Sequence, residues 1–199
     1  MNGADVVIVD SGGANLASLR FALDRLGAHS VISTDADVIA RARRVLLPGV
    51  GAAHDAMRRL RELQLVDCLR SLQQPLLGIC LGMQLLFNSS AEGATECLGV
   101  VDGAVLRLAA APGRPVPHMG WNCCQVMGAD PLLRGISEAD YFYFVHSYAA
   151  QAVADTTATV EYGGSFSAVV RHNNFHGVQF HPERSSAAGA RVLGNFLAL

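Results

Sequence analysis

The stretch that decides the fold spans residues 75–87 and reads Pro-Leu-Leu-Gly-Ile-Cys-Leu-Gly-Met-Gln-Leu-Leu-Phe. Its first part, residues 75–79, predicts a short buried strand, and residues 81–87 have the pattern that begins an apolar helix. Cys80 is therefore expected on a sharp turn from strand to helix, which is where a nucleophile elbow places its reactive side chain.

Glycines flank Cys80 at both second-neighbour positions, Gly78 and Gly82. They would relieve the crowding in the turn and allow unusual dihedral angles. At a helix N-terminus the free N–H groups and the helix dipole would favour the thiolate, and the N–H of Leu81 would be placed to stabilise an oxyanion. A lone cysteine is usually a small buried hydrophobe. The glycine pair, together with a later His-x-Glu sequence, favours a catalytic role instead.

A hundred residues further along, Phe175–Phe180 predicts a strand that ends at His181. Pro182 biases His181 toward an extended conformation, in which residues two apart point the same way. Glu183 would then lie beside His181 and fix the tautomer of a general base that faces the thiol. Alone, this segment is equally a polar strand end at the surface. With the Cys80 turn, it predicts a Cys-His-Glu triad.

The rest of the chain predicts an α/β fold. Four consecutive units of strand and helical pattern fill the first half, which indicates a mostly parallel central sheet with helices on both faces. From about Leu98 to Phe180, short strands and turns indicate an antiparallel extension. Ser186–Leu199 has the pattern of a closing helix. We expect a single domain over residues 1–199.

At this point the chain resembles the class I, triad-type glutamine amidotransferases, and within them the glutaminase subunits of imidazole glycerol phosphate synthase. The Cys80 turn and His-Pro-Glu are common to the class, whereas the amino-acid sequences of residues 78–84 and 117–122 are typical of the subfamily. The matching segments are Asp10 with Gly12 and Asn15-Leu16, then residues 47–51, 78–86, 117–122, 144–148 and 179–183.

The resemblance implies a flavodoxin-like fold and hydrolysis of glutamine to glutamate and ammonia, with no metal or cofactor. Cys80 would attack the side-chain amide, and His181 would deliver a proton to the leaving ammonia. The family pattern also assigns further residues. The oxyanion hole would comprise Val50, Gly51 and Leu81, and the glutamine would be held by Gln84, His146, Ser147 and Tyr148.

The resemblance further implies a heterodimer in which the partner is a cyclase with a (β/α)8 barrel. This cyclase subunit would use the ammonia to make imidazole glycerol phosphate in histidine biosynthesis. The expected partner surface is Asn15, Met119, Trp121, Tyr143 and Arg184. From the residues alone, Trp121 fits a core position as well as an interface, and His146 fits a structural histidine as well as a substrate ligand.

The chain departs from the family pattern at a few positions, none of them in the triad. They are Ser11, Ala14, Ala53, His54 and Arg184. Ser11, Ala14 and Arg184 are expected near the partner surface. Ala53 and His54 follow the oxyanion loop, so they would affect how that loop moves.

The composition and net charge of the chain indicate which kinds of partner and which compartment to expect. The 199 residues are 51% hydrophobic, which fits a proper core, and the net charge of -2 gives no reason to expect nucleic acid or an anionic membrane. No stretch predicts a signal peptide or a membrane helix, so we expect a cytoplasmic protein. The five cysteines suggest neither a metal site nor disulfides. His118, His172 and His176 are expected to be structural.

Three other functions stay open at the level of sequence. The chain could serve an amidotransferase of the anthranilate or aminodeoxychorismate type, although these usually lack His-Met-Gly-Trp-Asn. It could be a non-catalytic regulatory subunit on the same fold, against which the intact triad argues. A thiol protease or hydrolase would use the same triad, and a panel of glutamine, peptide and ester substrates would separate it.

Overall fold

The computed structural model describes residues 4–12 and 16–199. The strands are β1 (Val6–Val9), β2 (Ser30–Ser33), β3 (Val45–Gly49), β4 (Leu76–Cys80), β5 (Phe87–Ser90), β6 (Thr95–Glu96), β7 (Val101–Arg107), β8 (His118–Cys123), β9 (Gln125–Val126), β10 (Tyr141–His146), β11 (Tyr148–Ala150), β12 (Thr156–Glu161), β13 (Ser165–His172) and β14 (Phe175–Val178). The α-helices are α1 (Leu16–Arg25), α2 (Ala36–Ala40), α3 (Ala53–Glu62), α4 (Val66–Arg70), α5 (Leu81–Gln84) and α6 (Ser186–Leu197). None of these helices has the length and apolar character needed to cross a membrane.

The largest sheet has the strand order β2-β1-β3-β4-β14-β13-β12-β9. Strands β2 to β14 in this order are parallel to their neighbours, whereas β13, β12 and β9 are added in antiparallel fashion. The described chain also forms a β8–β10 pair and a sheet of order β11-β7-β5-β6. The predicted parallel sheet with an antiparallel extension is therefore confirmed. One strand differs from the expectation: β14, expected in the extension, pairs in parallel with β4 and belongs to the parallel part of the sheet.

Helices cover both faces of the parallel part, as the alternation along β1 shows. Val6 and Ile8 pack into one core cluster, which includes residues of α1 and α6. Val7 and Val9 pack into a second cluster, with residues of α2, α3 and α4. Successive side chains of a strand point to opposite faces, so an unbroken apolar strand such as Val6–Val9 is buried on both sides.

The order of the parallel strands positions the site. Strands β3, β4 and β14 are neighbours, with β4 in the centre. Because parallel strands end at the same edge of a sheet, the segments that follow them meet there. These segments are residues 50–51 after β3, the turn at Cys80 after β4, and the residues that lead to His181 after β14.

Some helix boundaries differ from the expectation. The apolar helix expected over residues 81–87 is confined to Leu81–Gln84, because Phe87 already begins β5. One of the helical segments that the pattern predicts in the first half runs from about Ala53 to Leu72. In the structure it is divided into α3 and α4, because Gln64 adopts a left-handed conformation with a φ of 55°. The spacing of apolar residues along the sequence does not reveal such a break, since the break depends on one backbone angle.

Candidate active site

The turn at Cys80 is a strained nucleophile elbow. Cys80 ends β4 with φ 54° and ψ -111°, and α5 begins at the next residue. A Cβ on Gly78 would lie 2.6 Å from the carbonyl oxygen of Gly82, and a Cβ on Gly82 would overlap the carbonyl of Leu47. The glycines therefore admit close backbone approach, as expected, while the unusual dihedral angles fall on Cys80 itself. Such strain in a non-glycine residue is typical of functional sites.

Cys80 opens into a cavity of about 280 Å³. Its wall brings together nearly all the predicted catalytic, oxyanion and glutamine-binding residues. The lining residues are Val50, Gly51, Cys80, Leu81, Gln84, Glu92, Pro117, Val145, His146, Ser147, Tyr148 and His181. Separate segments of the chain thus converge at the edge of the sheet where β3, β4 and β14 end.

Glu183 lies behind His181 rather than in the cavity wall. Its Oε1 atom accepts a hydrogen bond from Nδ1 of His181 at 2.9 Å, and both side chains are more than nine-tenths buried. The expected extended segment is instead an extended His181 followed by a 3₁₀ turn, Pro182–Arg184. The N–H of His181 donates to the carbonyl of Tyr143 at 2.9 Å, which anchors the start of this turn.

The surroundings of His181 favour the charged ring. Burial by itself would lower the pKa of His181, but the Cys80 thiol and the Glu183 carboxylate outweigh burial and raise it to about 10. Nε2 of His181 has no partner within hydrogen-bond geometry among the described residues, although Cys80 is near enough to affect the pKa. The second nitrogen of the ring is thus available for proton transfer with the sulfur or with a ligand.

Two glutamine side chains connect the cavity wall to the sulfur. Nε2 of Gln84 donates to the carbonyl of Tyr148 at 2.7 Å and to Oε1 of Gln179 at 3.0 Å. Nε2 of Gln179 lies 3.8 Å from Sγ of Cys80. Gln84 was predicted as a ligand of glutamine, whereas sequence reasoning assigned no role to Gln179. The one signal was its place two residues before His181.

His146 lines the cavity, but both of its ring nitrogens have protein partners. Nδ1 lies 2.9 Å from the carbonyl of Tyr148, and Nε2 lies 3.1 Å from Nδ1 of His118. Burial, as the main cause, lowers the pKa of His146 to about 3 and that of His118 to about 4. Two neutral rings in this arrangement support the structural interpretation of His146, which positions the Tyr148 carbonyl.

Glu92 is a cavity residue that sequence reasoning missed. Its Oε2 atom accepts a hydrogen bond from the N–H of Ala53 at 2.8 Å, at the first residue of α3. It therefore tethers the helix that follows Val50 and Gly51. No sequence signal identified Glu92, because it is 39 residues from Ala53 along the chain. Glu92 lies in the 3₁₀ turn Glu92–Ala94 and lines the cavity.

The predicted partner residues form one surface group next to the site. Met119 and Trp121 are 62% and 52% exposed on β8. The Trp121 ring meets Tyr143 edge-to-face at 5.9 Å, and the Arg184 guanidinium lies 4.7 Å from the centre of the same Tyr143 ring. The exposure of Trp121 excludes the core position. Asn15 lies outside the described residues.

Four of the five departures from the family pattern can be placed: Arg184 lies over the Tyr143 ring, and Nε2 of His54 lies 3.4 Å from Oδ2 of Asp55. Ser11 is 3% exposed, and its hydroxyl donates to the carbonyl of Pro48 at 3.0 Å. It therefore holds the strand end that leads into Val50 and Gly51. Ala53 receives the Glu92 contact, and Ala14 lies outside the described residues.

Comparison with known proteins agrees with this geometry. Residues 7–199 match the family model described as "Glutamine amidotransferase class-I". A curated relative from Xanthomonas euvesicatoria pv. vesicatoria (strain 85-10), "Imidazole glycerol phosphate synthase subunit HisH", is 54% identical, with 98% of each chain covered. "Imidazole glycerol phosphate synthase subunit HisH 1" from Vibrio vulnificus (strain YJ016) is 48% identical, with 100% of each chain covered.

Solved structures show the same fold at low identity. A putative GMP synthase protein from Thermoplasma acidophilum has a TM-score of 0.76 at 18% identity, covering 100% of this chain and 94% of its own. Another solved structure, described as a glutamine amidotransferase, has a TM-score of 0.76 at 19% identity, covering 98% of this chain and 97% of its own.

Proposed function

This chain belongs to the class-I glutamine amidotransferase family, and on that premise we propose that residues 1–199 form one glutaminase domain, the ammonia-producing subunit of imidazole glycerol phosphate synthase in histidine biosynthesis. The observation that carries the proposal is the convergence in one cavity of the strained Cys80 and of His181, whose other ring nitrogen is bonded to Glu183. The extent and identity of the match to subunits named HisH support this pathway.

In the first half of the reaction, the Cys80 thiolate attacks the side-chain amide carbon of glutamine. The electron pair of the C=O bond moves to oxygen, where the N–H of Leu81 and an N–H of the Val50–Gly51 segment stabilise it. The tetrahedral intermediate collapses to a glutamyl thioester as His181 gives its proton to the departing nitrogen. The raised pKa of His181 suits this role, because it keeps the ring charged at neutral pH.

In the second half, His181 is neutral and takes a proton from water as that water attacks the thioester. The C–S bond then breaks, its electron pair returns to sulfur, and glutamate leaves. The negative charge of Glu183 favours the imidazolium that forms again at this step, and its contact with Nδ1 keeps Nε2 toward the sulfur.

The cavity offers few free polar atoms for glutamine, and their chemistry is complementary to the substrate. Both N–H groups of Gln84 are occupied, so Gln84 presents only its Oε1 as an acceptor. The carboxylate of Glu92 lines the same cavity and would attract the α-ammonium group. Ser147 and Tyr148 also line the cavity and would hold the α-carboxylate through their backbone.

The partner is a cyclase subunit with a (β/α)8 barrel, which docks on the surface of Met119, Trp121, Tyr143 and Arg184 and receives the ammonia. Docking would also complete the oxyanion hole. Gly51 has a φ of 90°, and a glycine allows the peptide between it and Val50 to rotate. In the lone chain one N–H of this segment points away, and partner binding turns it toward the site.

The function is tested with Cys80→Ser in the complex with the cyclase subunit. We expect glutamine-dependent synthesis to be lost, since a serine hydroxyl lacks the accessible anion, and synthesis from ammonium salt to continue. Cys68→Ser, which changes a half-buried cysteine of α4, should retain both activities. Persistent glutamine-dependent synthesis in Cys80→Ser would exclude Cys80 as the nucleophile.

The gating is tested with wild-type protein in three states: by itself, in the complex with the cyclase, and in that complex with the nucleotide ligand of the cyclase added. A missing oxyanion donor reduces the rate by about 100- to 1000-fold, so glutamine hydrolysis should rise by about that factor on docking. An isolated chain that hydrolyses glutamine at the rate of the complex would exclude the gate.

A further inference from the structure

Gln179 is a fully buried polar residue whose side chain reaches the reactive sulfur. It follows β14 directly and is 0% exposed, and its backbone N–H donates to the carbonyl of Ala168 at 2.8 Å. Its side-chain Nε2 lies 3.8 Å from Sγ of Cys80, within hydrogen-bonding reach of a sulfur acceptor. The triad mechanism above makes no use of this contact.

The neighbouring contacts determine which end of the Gln179 amide faces the sulfur. The carbonyl of Tyr148 can only accept, so the amide of Gln84 must turn its NH₂ group toward it. The same NH₂ group faces Gln179 at 3.0 Å, and the nearer atom of Gln179 must therefore be its carbonyl oxygen. The NH₂ group of Gln179 is left pointing at Cys80.

Among the described residues, two uncharged groups lie near Sγ of Cys80: the carbonyl of Val145 and the side-chain amide of Gln179. They favour opposite protonation states of the sulfur. The carbonyl oxygen of Val145, 3.9 Å from Sγ, can accept a hydrogen bond from the thiol but repels a thiolate. The Gln179 N–H does the reverse, because hydrogen bonds to a charged form favour that form. Helix α5 has only four residues, so the dipole of one turn adds little. The Cys80 thiolate is therefore stabilised mainly by His181 and Gln179.

We propose that Gln179 is a catalytic residue that donates its side-chain N–H to the Cys80 thiolate, with Gln84 fixing the orientation of its amide. The inference rests on the proposed glutaminase function for its kinetic readout. In that reaction Gln179 stabilises sulfur twice, before the attack on glutamine and when the C–S bond of the thioester breaks and its electron pair returns to sulfur.

Two substitutions of Gln179 distinguish a hydrogen bond to the Cys80 sulfur from a purely structural role, in which Gln179 only holds the side chain of Gln84 in place. Gln179→Met has a similar volume and no N–H. Gln179→Glu retains an oxygen that accepts from Gln84 but places a second oxygen beside the sulfur. If Gln179 only braces Gln84, Gln179→Glu behaves as wild type. If the N–H on sulfur matters, both variants disfavour the thiolate. Ser167→Ala is the matched control, since it removes a buried hydroxyl of β13 that donates to the carbonyl of Gln151, away from the cavity.

The direct readout is alkylation of Cys80 by iodoacetamide as a function of pH, followed by mass spectrometry of the peptide that contains Cys80. In both Gln179 variants we expect the pH of half-maximal rate to rise by about one to two units, the range expected for loss of one hydrogen bond to a charged group. Glutamine hydrolysis by the complex at neutral pH should fall about tenfold or more. Ser167→Ala should match wild type in both assays.

Alkylation needs no glutamine, so the two proposals fail separately. Wild-type protein that does not hydrolyse glutamine in the complex would refute the proposed function and leave the alkylation comparison intact. A Gln179→Met protein with a wild-type melting transition and an unchanged alkylation midpoint would overturn the role of Gln179. If the buried glutamate of Gln179→Glu prevents folding, the alkylation midpoint of Gln179→Met alone tests the role of Gln179.

Discussion

Nδ1 of His118 lies 3.1 Å from Nε2 of His146, and the two residues face each other directly in the β8–β10 pair. On the opposite side of the same two strands, Trp121 pairs with Tyr143. Because side chains alternate along a strand, the β8–β10 pair has the buried histidines on one side, with His146 in the cavity wall, and Trp121 with Tyr143 on the other side, in the proposed partner surface. The β8–β10 pair therefore connects the proposed partner surface physically to the site.

The histidine pair predicts acid sensitivity. The pKa values of His118 and His146 are lowered by burial to about 4 and about 3, while the unfolded chain has an ordinary value of about 6.5. Between these limits the unfolded state binds more protons, so the free energy of unfolding should fall as the pH drops from about 6.5 to about 4. The expected slope is up to about 1.4 kcal/mol per pH unit for each ring.

Urea denaturation across this pH range measures the slope. His118→Phe keeps a ring against Phe144 and Tyr162 but removes one titrating group, so its slope should be smaller than that of wild type. His29→Asn, at an exposed position, controls for loss of any histidine. A slope that is unchanged in His118→Phe would show that the pair is not the source of the acid sensitivity.

Glu183→Gln tests the triad. The amide still offers an oxygen to Nδ1 of His181 but removes the negative charge, so the tautomer is retained while the imidazolium loses support. We expect glutamine hydrolysis to fall by roughly 10- to 1000-fold, less than in His181→Ala. Because Glu183 helps to raise the pKa of His181, the alkaline limit of the pH–rate profile should move from about 10 to lower pH. An unaltered rate would reduce the triad to a Cys80–His181 dyad.

Gly82→Ala tests the elbow through stability. A Cβ there would overlap the carbonyl of Leu47 in the neighbouring strand β3, and neither backbone can move without disturbing the central sheet. We expect a loss of about 3 kcal/mol or more in the free energy of unfolding, at or above the usual range for overpacking. Gly194→Ala is the control, because that glycine lies in α6 with open space around its Cβ position. It should be stabilising by about 0.5–1 kcal/mol. Equal stability of the two variants would mean that the elbow does not depend on close approach at Gly82.

The sequence predicted those structural features that are determined by residues close together in the chain. The strand and turn around Cys80, the glycine spacing and the extended backbone of His181 before Pro182 all follow from neighbouring residues. The repeated strand and helix pattern also predicted the parallel part of the sheet. It did not predict the place of β14, which lay in the expected antiparallel extension but pairs in parallel with β4 and so brings His181 to the carboxyl end of that strand.

What the sequence did not predict depends on contacts between distant residues. The Gln179–Cys80 contact spans 99 residues and the Glu92–Ala53 contact spans 39. The break of α3 depends on the left-handed angle at Gln64. The contact of Ser11 with the Pro48 carbonyl was likewise not predicted, because the two residues are brought together only by the pairing of β1 with β3.

Trp121→Ala tests the partner surface. The ring is half exposed and rests edge-on against Tyr143, and exposed tryptophans of this kind are frequent interface hot spots. We expect binding of the cyclase subunit to weaken by about 2 kcal/mol or more. Calorimetric titration of the cyclase subunit into wild-type and variant protein measures the change.

Two further measurements make the Trp121 result interpretable. Thermal unfolding of the isolated variant should stay close to wild type, because a core tryptophan would instead cost about 3–5 kcal/mol on truncation, whereas a side chain 52% exposed has already left much of its surface in water. Phe21→Ala is the matched control, since Phe21 is 62% exposed on α1 and outside the predicted partner surface. It should bind the cyclase subunit as wild type does. A large fall in melting temperature for Trp121→Ala with unaltered affinity would mean that the ring stabilises the β8–β10 pair and that the cyclase subunit docks elsewhere.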